Sequence, residues 1–159
     1  VDVSTGAYVR GHFLALLSAA VSEAHREGAP LCLLVVDLDE TAVLQGEQGQ
    51  EAVEAALAAL AERVSQAVDG LGPIGRLEDD AFAVLLAGCT LAHAARIAQA
   101  VRRQASSARV PSSAGPLSIT ASVGLAALRP AEPWGNLLEA AEDACTRAKQ
   151  GGRNLVVQR

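Results

Sequence analysis

Apolar and polar positions along the chain follow two periods. Phe13, Leu16, Leu17, Ala20, Val21 and Ala24 recur at the spacing of one helix face, and Gly28-Ala29-Pro30 supplies the stop, since glycine ends helices and proline cannot continue them. The unbroken apolar run Leu31 to Val36 then reads as a central strand covered on both faces, with the polar Asp37-Leu38-Asp39-Glu40 at its C-terminal end. Between Gln48 and Ala67, Val53, Leu57, Leu60, Ala61 and Val64, continued by Val68, return to helical spacing and leave Glu51, Glu54, Glu62 and Arg63 to face water. This predicts a long second helix.

After Gly70-Leu71-Gly72-Pro73, the short stretches Ile74 to Leu77 and Phe82 to Leu86 flank Glu78-Asp79-Asp80-Ala81, a predicted hairpin with an acidic tip. A third helix is expected from Leu91 to Gln104 with Thr90 as N-cap. Leu117, Ile119, Ala121, Val123 and Leu125 alternate with Ser118, Thr120 and Ser122, which predicts a strand with unlike faces. A helix from Asn136 to Lys149 and a strand Leu155 to Val157 complete the series, and Ser106 to Pro116 and Arg129 to Pro133 read as loops. The order is that of an α/β sandwich in one domain, with too few crossover units for a doubly wound dinucleotide fold.

Composition narrows the functions open to such a domain. The net charge of -5, with no cluster of Lys and Arg, argues against a nucleic-acid partner, because phosphate backbones are held by clustered cations that release counterions. The apolar runs fall short of the roughly 20 residues that span a bilayer, so no membrane segment is expected. Cys32, Cys89 and Cys145 sit widely spaced in apolar surroundings, which suits buried reduced thiols of a cytoplasmic protein. His12, His25 and His93 have no partner at metal-ligand spacing and read as structural. Trp134, in a Pro/Gly-rich stretch, reads as a local packing anchor. The chain contains no Met and begins Val1-Asp2-Val3, so it is expected to be one segment of a longer protein.

Five blocks in fixed order resemble bacterial GGDEF domains. Asp2-Val3-Ser4-Thr5-Gly6-Ala7-Tyr8-Val9-Arg10 with Phe13 is similar to D-x-L-T-G-L-x-N-R-x-x-F, and Val36-Asp37-Leu38-Asp39 to the D-I-D-x-F-K segment. Arg76 to Leu85 stands where the family has R-x-G-G-D-E-F-x-x-L, so Glu78, Asp79, Asp80, Ala81 and Phe82 form the signature loop. Ser122-Val123-Gly124-Leu125-Ala126 resembles S-I-G-V-A, and Ala148-Lys149-Gln150-Gly151-Gly152-Arg153-Asn154 resembles A-K-x-x-G-R-N. The resemblance implies a central, mostly antiparallel sheet of about five strands flanked by helices, as in nucleotidyl cyclases. It also implies diguanylate cyclase chemistry, in which two GTP molecules on two domains are joined by attack of a 3′-hydroxyl on an α-phosphate, with divalent ions between carboxylates and phosphates.

By that resemblance Asp37, the Leu38 carbonyl and Asp80 are the metal positions, Lys149 and Arg153 the phosphate contacts, and Gln45 and Glu54 stand for the guanine-reading Asn and Asp. Read without it, Asp37, Asp39 and Asp80 are solvated loop carboxylates, and Lys149 and Arg153 a cationic helix end favoured by the macrodipole. The departures are heavier. Glu78 and Asp79 replace the glycines that let the loop approach a triphosphate, adding like charges whose repulsion in a partly desolvated site costs on the order of several kcal/mol. Ala81 replaces the glutamate after the metal acid, Ala42 a phosphate-binding lysine, and Asp69 and Gly72 stand where the product-inhibition motif R-x-x-D would lie.

Two-metal phosphoryl transfer needs carboxylates for both ions, so no catalytic residue is assigned and the expectation is a degenerate, inactive GGDEF-like domain in bacterial signal transduction. It would work through a protein partner or self-association, as part of a response regulator. The alternative is a non-catalytic GTP sensor, with Mg²⁺ as cofactor only if nucleotide binding is retained. An active cyclase making cyclic di-GMP comes third.

Overall fold

A computed structural model describes residues 1–78 and 80–159; Asp79 of the signature loop lies outside the described residues. Helix α1 (Arg10–Glu27) ends at Gly28, whose φ of 64° is the left-handed turn the sequence called for. Strand β1 (Leu31–Leu38) follows and is buried along almost its whole length. Next come α2 (Thr41–Gln48), α3 (Gln50–Val68), β2 (Ile74–Arg76) and β3 (Ala81–Ala87). The rest of the chain forms α4 (Leu91–Ser107), β4 (Arg109–Val110), β5 (Leu117–Ser118), β6 (Ala121–Ala127), α5 (Trp134–Gln150) and β7 (Val156–Gln158).

The main sheet has the order β2-β3-β1-β6-β7. Its β2–β3, β3–β1 and β1–β6 pairings are antiparallel and β6–β7 is parallel, so the sheet is mixed, with five strands as the sequence implied. One face packs on α3 and α4 through Leu34, Val36, Leu57, Leu60, Val64 and Val101. The other packs on α1 and α5 through Phe13, Leu17, Leu33, Val35, Leu137 and Ala141. A fully buried Phe such as Phe13 contributes on the order of 2–3 kcal/mol relative to exposure. Gly124 on β6 permits the close approach of α5, since a Cβ there would run into the Ala141 carbonyl and the backbone of Cys145.

Several sequence expectations are corrected here. Helix α2 had no counterpart, because it buries no residue and carries only Val43 and Leu44 as bulky apolar positions. The strand with unlike faces is two strands, and β6 is buried from Ala121 to Ala126, Ser122 included, because helices cover both sides of the sheet. The loop Ser106 to Pro116 contains β4, which pairs with β5, and α4 runs on to Ser107. Trp134 opens α5 and packs against the α1–α5 core, so its role as an anchor holds while its loop placement does not. Thr90 does cap α4, accepting from the His93 backbone N–H at 3.3 Å.

The N-terminal segment lies along the outer edge of β2, with Tyr8 N–H donating to the Ile74 carbonyl at 2.9 Å and Arg76 N–H to the Tyr8 carbonyl at 2.8 Å. No described helix is long and apolar enough to cross a membrane. Cys32, Cys89 and Cys145 are free and buried, and burial pushes the Cys32 and Cys145 thiols up to about 11 and about 12, which removes them as nucleophiles near neutral pH.

Candidate active site at the end of β1

Asp37 stands in β1, not in a loop, with Ala81 of β3 and Ser122 of β6 as its neighbours in register. The signature loop is fastened to β1 by the Leu38 N–H, which donates to the Asp80 carbonyl at 3.0 Å. From α2, the Thr41 hydroxyl donates to Asp80 Oδ2 at 3.0 Å. Burial pushes the Asp37 carboxyl up to about 7, against the opposing pull of Lys149, and the charges of Asp80 and Asp39 add to the rise. Its Oδ1 is buried with no hydrogen-bond partner among the described residues, although Lys149 Nζ stands 3.3 Å away as an ion pair.

Asp39 is no solvated loop carboxylate. It is 8 % exposed and accepts from the Ser122 hydroxyl at 2.6 Å, the Thr120 hydroxyl at 2.7 Å and the Asn154 N–H at 3.0 Å. These bonds join β1, the entry to β6 and the turn after α5, where Arg153 and Asn154 take φ values of 66° and 49°. Such a saturated, nearly buried carboxylate is a structural tie. The sequence offered Asp39 only as a solvated carboxylate; the alternating hydroxyls Thr120 and Ser122 were the available signal of its burial.

Lys149, in the last turn of α5, donates to the Leu38 carbonyl at 3.2 Å and lies 3.6 Å from Asp39 Oδ1. Three of the residues read from the sequence, Asp37, Leu38 and Lys149, therefore form one cluster. Arg153, the expected second phosphate contact, is exposed in its left-handed turn and no described side chain meets it.

On the other side of the sheet, Gln45, Glu54 and Asp80 come together in a cleft of ≈ 500 Å³ between α2, α3 and the signature loop. Val53 and Leu57 give it an apolar lining, and Gln50 donates to Glu54 Oε1 at 3.0 Å. Ala42 opens on the same cleft. Arg76 also lines it, and pairs with Asp2 at 2.9 Å. Thr41, Gln50 and Arg76 were not assigned from the sequence, though Arg76 was visible as the arginine of the signature. At the tip, Glu78 is exposed and pairs with Arg10 of α1 at 3.4 Å.

The Diguanylate cyclase, GGDEF domain family matches residues 1–155. The chain belongs to the GGDEF family. It is 33% identical to the uncharacterized protein YhcK of Bacillus subtilis over 98% of its own length and 44% of that protein's. It is 28% identical to the diguanylate cyclase DgcP of Pseudomonas aeruginosa, covering 96% of this chain and 23% of DgcP. The chain thus spans less than half the length of these curated relatives. Among solved structures, the GGDEF domain of DgcB from Caulobacter crescentus in complex with c-di-GMP superposes with a TM-score of 0.94 at 25% identity, covering 99% of this chain and 92% of that one. Diguanylate cyclase SiaD in complex with its activator SiaC from Pseudomonas aeruginosa gives 0.95 at 25%, covering 99% and 61%.

The chemistry of this GGDEF domain's donor set does not fit the divalent ions that the family resemblance implies. Lys149 holds the Leu38 carbonyl and is paired with Asp37 and Asp39, Thr41 engages Asp80, and Ala81 offers no carboxylate. Among the described residues no group of three or more His, Cys, Asp or Glu is placed to hold a metal ion. What the site offers is a polar cleft beside a self-paired ionic cluster.

Proposed function

We infer that this GGDEF domain works in cyclic di-GMP signalling without joining two GTP molecules, as a regulatory module that docks a protein partner or a second copy of itself. One observation carries the reading: in register with Asp37 stands Ala81, so the β1–β3 pair presents a single carboxylate where two-metal phosphoryl transfer needs more. Glu78 adds negative charge at the loop that would meet phosphates, and Ala42 supplies no cation in the cleft. The relatives' bacterial sources and greater length support the view of the chain as one segment of a longer bacterial protein. SiaD with its activator SiaC supports a protein partner as a mode of control in this family. The test is chromatography of the purified domain incubated with GTP and Mg²⁺ or Mn²⁺. No cyclic di-GMP should form, and its accumulation at multiple turnovers would end this reading.

The cleft favours a second reading, a GTP sensor. Its volume of ≈ 500 Å³ suits a nucleobase with its sugar, and Gln45, Gln50 and Glu54 supply amide donors and a carboxylate acceptor to the edge of a base. Asp80 and Arg153 are then vestiges of the phosphate and metal contacts. Calorimetry with GTP decides: micromolar binding that Glu54→Ala weakens at least tenfold places sensing above docking, and no heat at millimolar nucleotide removes it.

A further inference from the structure

We propose that Lys149 is the resident cation of this site, a tethered ammonium that fills the position at the end of β1 where the family's chemistry calls for a divalent ion. Three consecutive residues of β1 converge on Nζ: Asp37 Oδ1 at 3.3 Å, the Leu38 carbonyl at 3.2 Å and Asp39 Oδ1 at 3.6 Å. Side chains two apart on a strand share a face, so Asp37 and Asp39 both present oxygens to the side that α5 covers. The lysine is held there by the fold. Gly124 lets the backbone of α5 settle against β6, and Cys145, one turn before Lys149, donates its S–H to the Ser122 carbonyl at 3.4 Å.

The oxygens are not free to leave. Thr120, Ser122 and the Asn154 N–H fix both oxygens of Asp39, and the peptide that bears the Leu38 carbonyl is held from its other side through the Asp39 N–H, which donates to the Thr120 carbonyl. The Lys149 side chain is 27% exposed, so its ammonium is largely withdrawn from water into these contacts. A divalent ion approaching Asp37 must displace that ammonium, and finds no acid at Ala81 to replace the oxygens the lysine occupies. The acidic cluster therefore carries its own countercharge, and the domain's fold does not depend on metal.

The proposal is read by titrating Mn²⁺ onto the purified domain without nucleotide, following free Mn²⁺ by electron paramagnetic resonance. Wild type is expected to hold no Mn²⁺ at millimolar concentration, and its melting temperature to be indifferent to the ion. Lys149→Gln should gain a site at least tenfold tighter than any in wild type, lost again in Lys149→Gln/Asp37→Asn. Saturable binding to wild type that Asp37→Asn abolishes overturns the proposal, as does a folded Lys149→Gln that gains no Mn²⁺. Where circular dichroism finds Lys149→Gln unfolded, the wild-type titration and the Asp37→Asn comparison decide alone. Because no GTP is present, this outcome is separate from the chromatographic test of catalysis.

Discussion

Asp37 and Ala81 are directly opposed across β1 and β3, so a methyl group and a carboxylate share one side of the sheet at the head of the site. The carboxylate is left in a half-apolar setting with Lys149 as its countercharge.

That setting has a pH signature. Asp37 is raised from 3.8 to about 7, so between those values the folded domain holds a proton that the unfolded chain has released. Stability must then fall as pH rises through that window. Asp37→Asn removes this slope: the variant's stability relative to wild type should rise by about 2 kcal/mol between pH 5 and pH 8, a figure reduced for solvent screening and the Lys149 contact. Urea unfolding at the two pH values checks it, and parallel pH dependence in both proteins would contradict it.

Asp39→Ala should be far more damaging, because it strips the acceptor from two hydroxyls, one N–H and an ammonium in a buried place. A loss of about 3 kcal/mol is expected, against about 1 kcal/mol for Ser122→Ala, which removes one donor. Denaturant midpoints at neutral pH separate the two.

Arg159 and Glu132 form a bidentate pair whose side chains are 16% and 10% exposed, and this pairing draws the Glu132 carboxyl below its usual 4.5. Its contribution is present above the unfolded value and disappears as pH falls through the lowered one. Arg159→Ala should cost about 2–3 kcal/mol at pH 7 by stranding a nearly buried carboxylate. The gap to wild type should close in acid, which thermal melts at pH 7 and pH 3 will read.

Two glycines should respond in opposite directions. Gly124→Ala forces α5 off β6 and is expected to cost about 3 kcal/mol. Gly46 lies in the exposed middle of α2 with open space around it, so Gly46→Ala should stabilise by about 0.5–1 kcal/mol. Equal effects in thermal unfolding would refute the packing argument.

Most of the scaffold was legible because its elements bury strong periodic patterns, as in α1, β1 and α3. Helix α2 was not, since a helix that buries nothing leaves no apolar stripe to read. Nor was the burial of Ser122, because a serine that answers a buried carboxylate looks in sequence like one that faces water. In the site, the sequence grouped Asp37, Leu38 and Asp80 as metal positions and Lys149, Arg153, Gln45 and Glu54 as nucleotide contacts, whereas the structure sets Lys149 beside Asp37 and Leu38, and Asp80 beside Gln45 and Glu54. Their division between the two faces of the sheet depends on long-range register, which no local pattern encodes. The turn that carries Arg153 was not legible for a related reason: it is shaped by the Asp39 bond to Asn154, 115 residues away in sequence.

The strand-like contact of Tyr8 with Ile74 and Arg76 gives the N-terminal segment a protective office. β2 is a sheet margin of three residues whose outward peptide groups would otherwise be offered to any passing extended chain. With Tyr8 laid against it, that margin is capped from within the molecule. Resistance to edge-to-edge aggregation along this margin therefore resides in the segment around Tyr8.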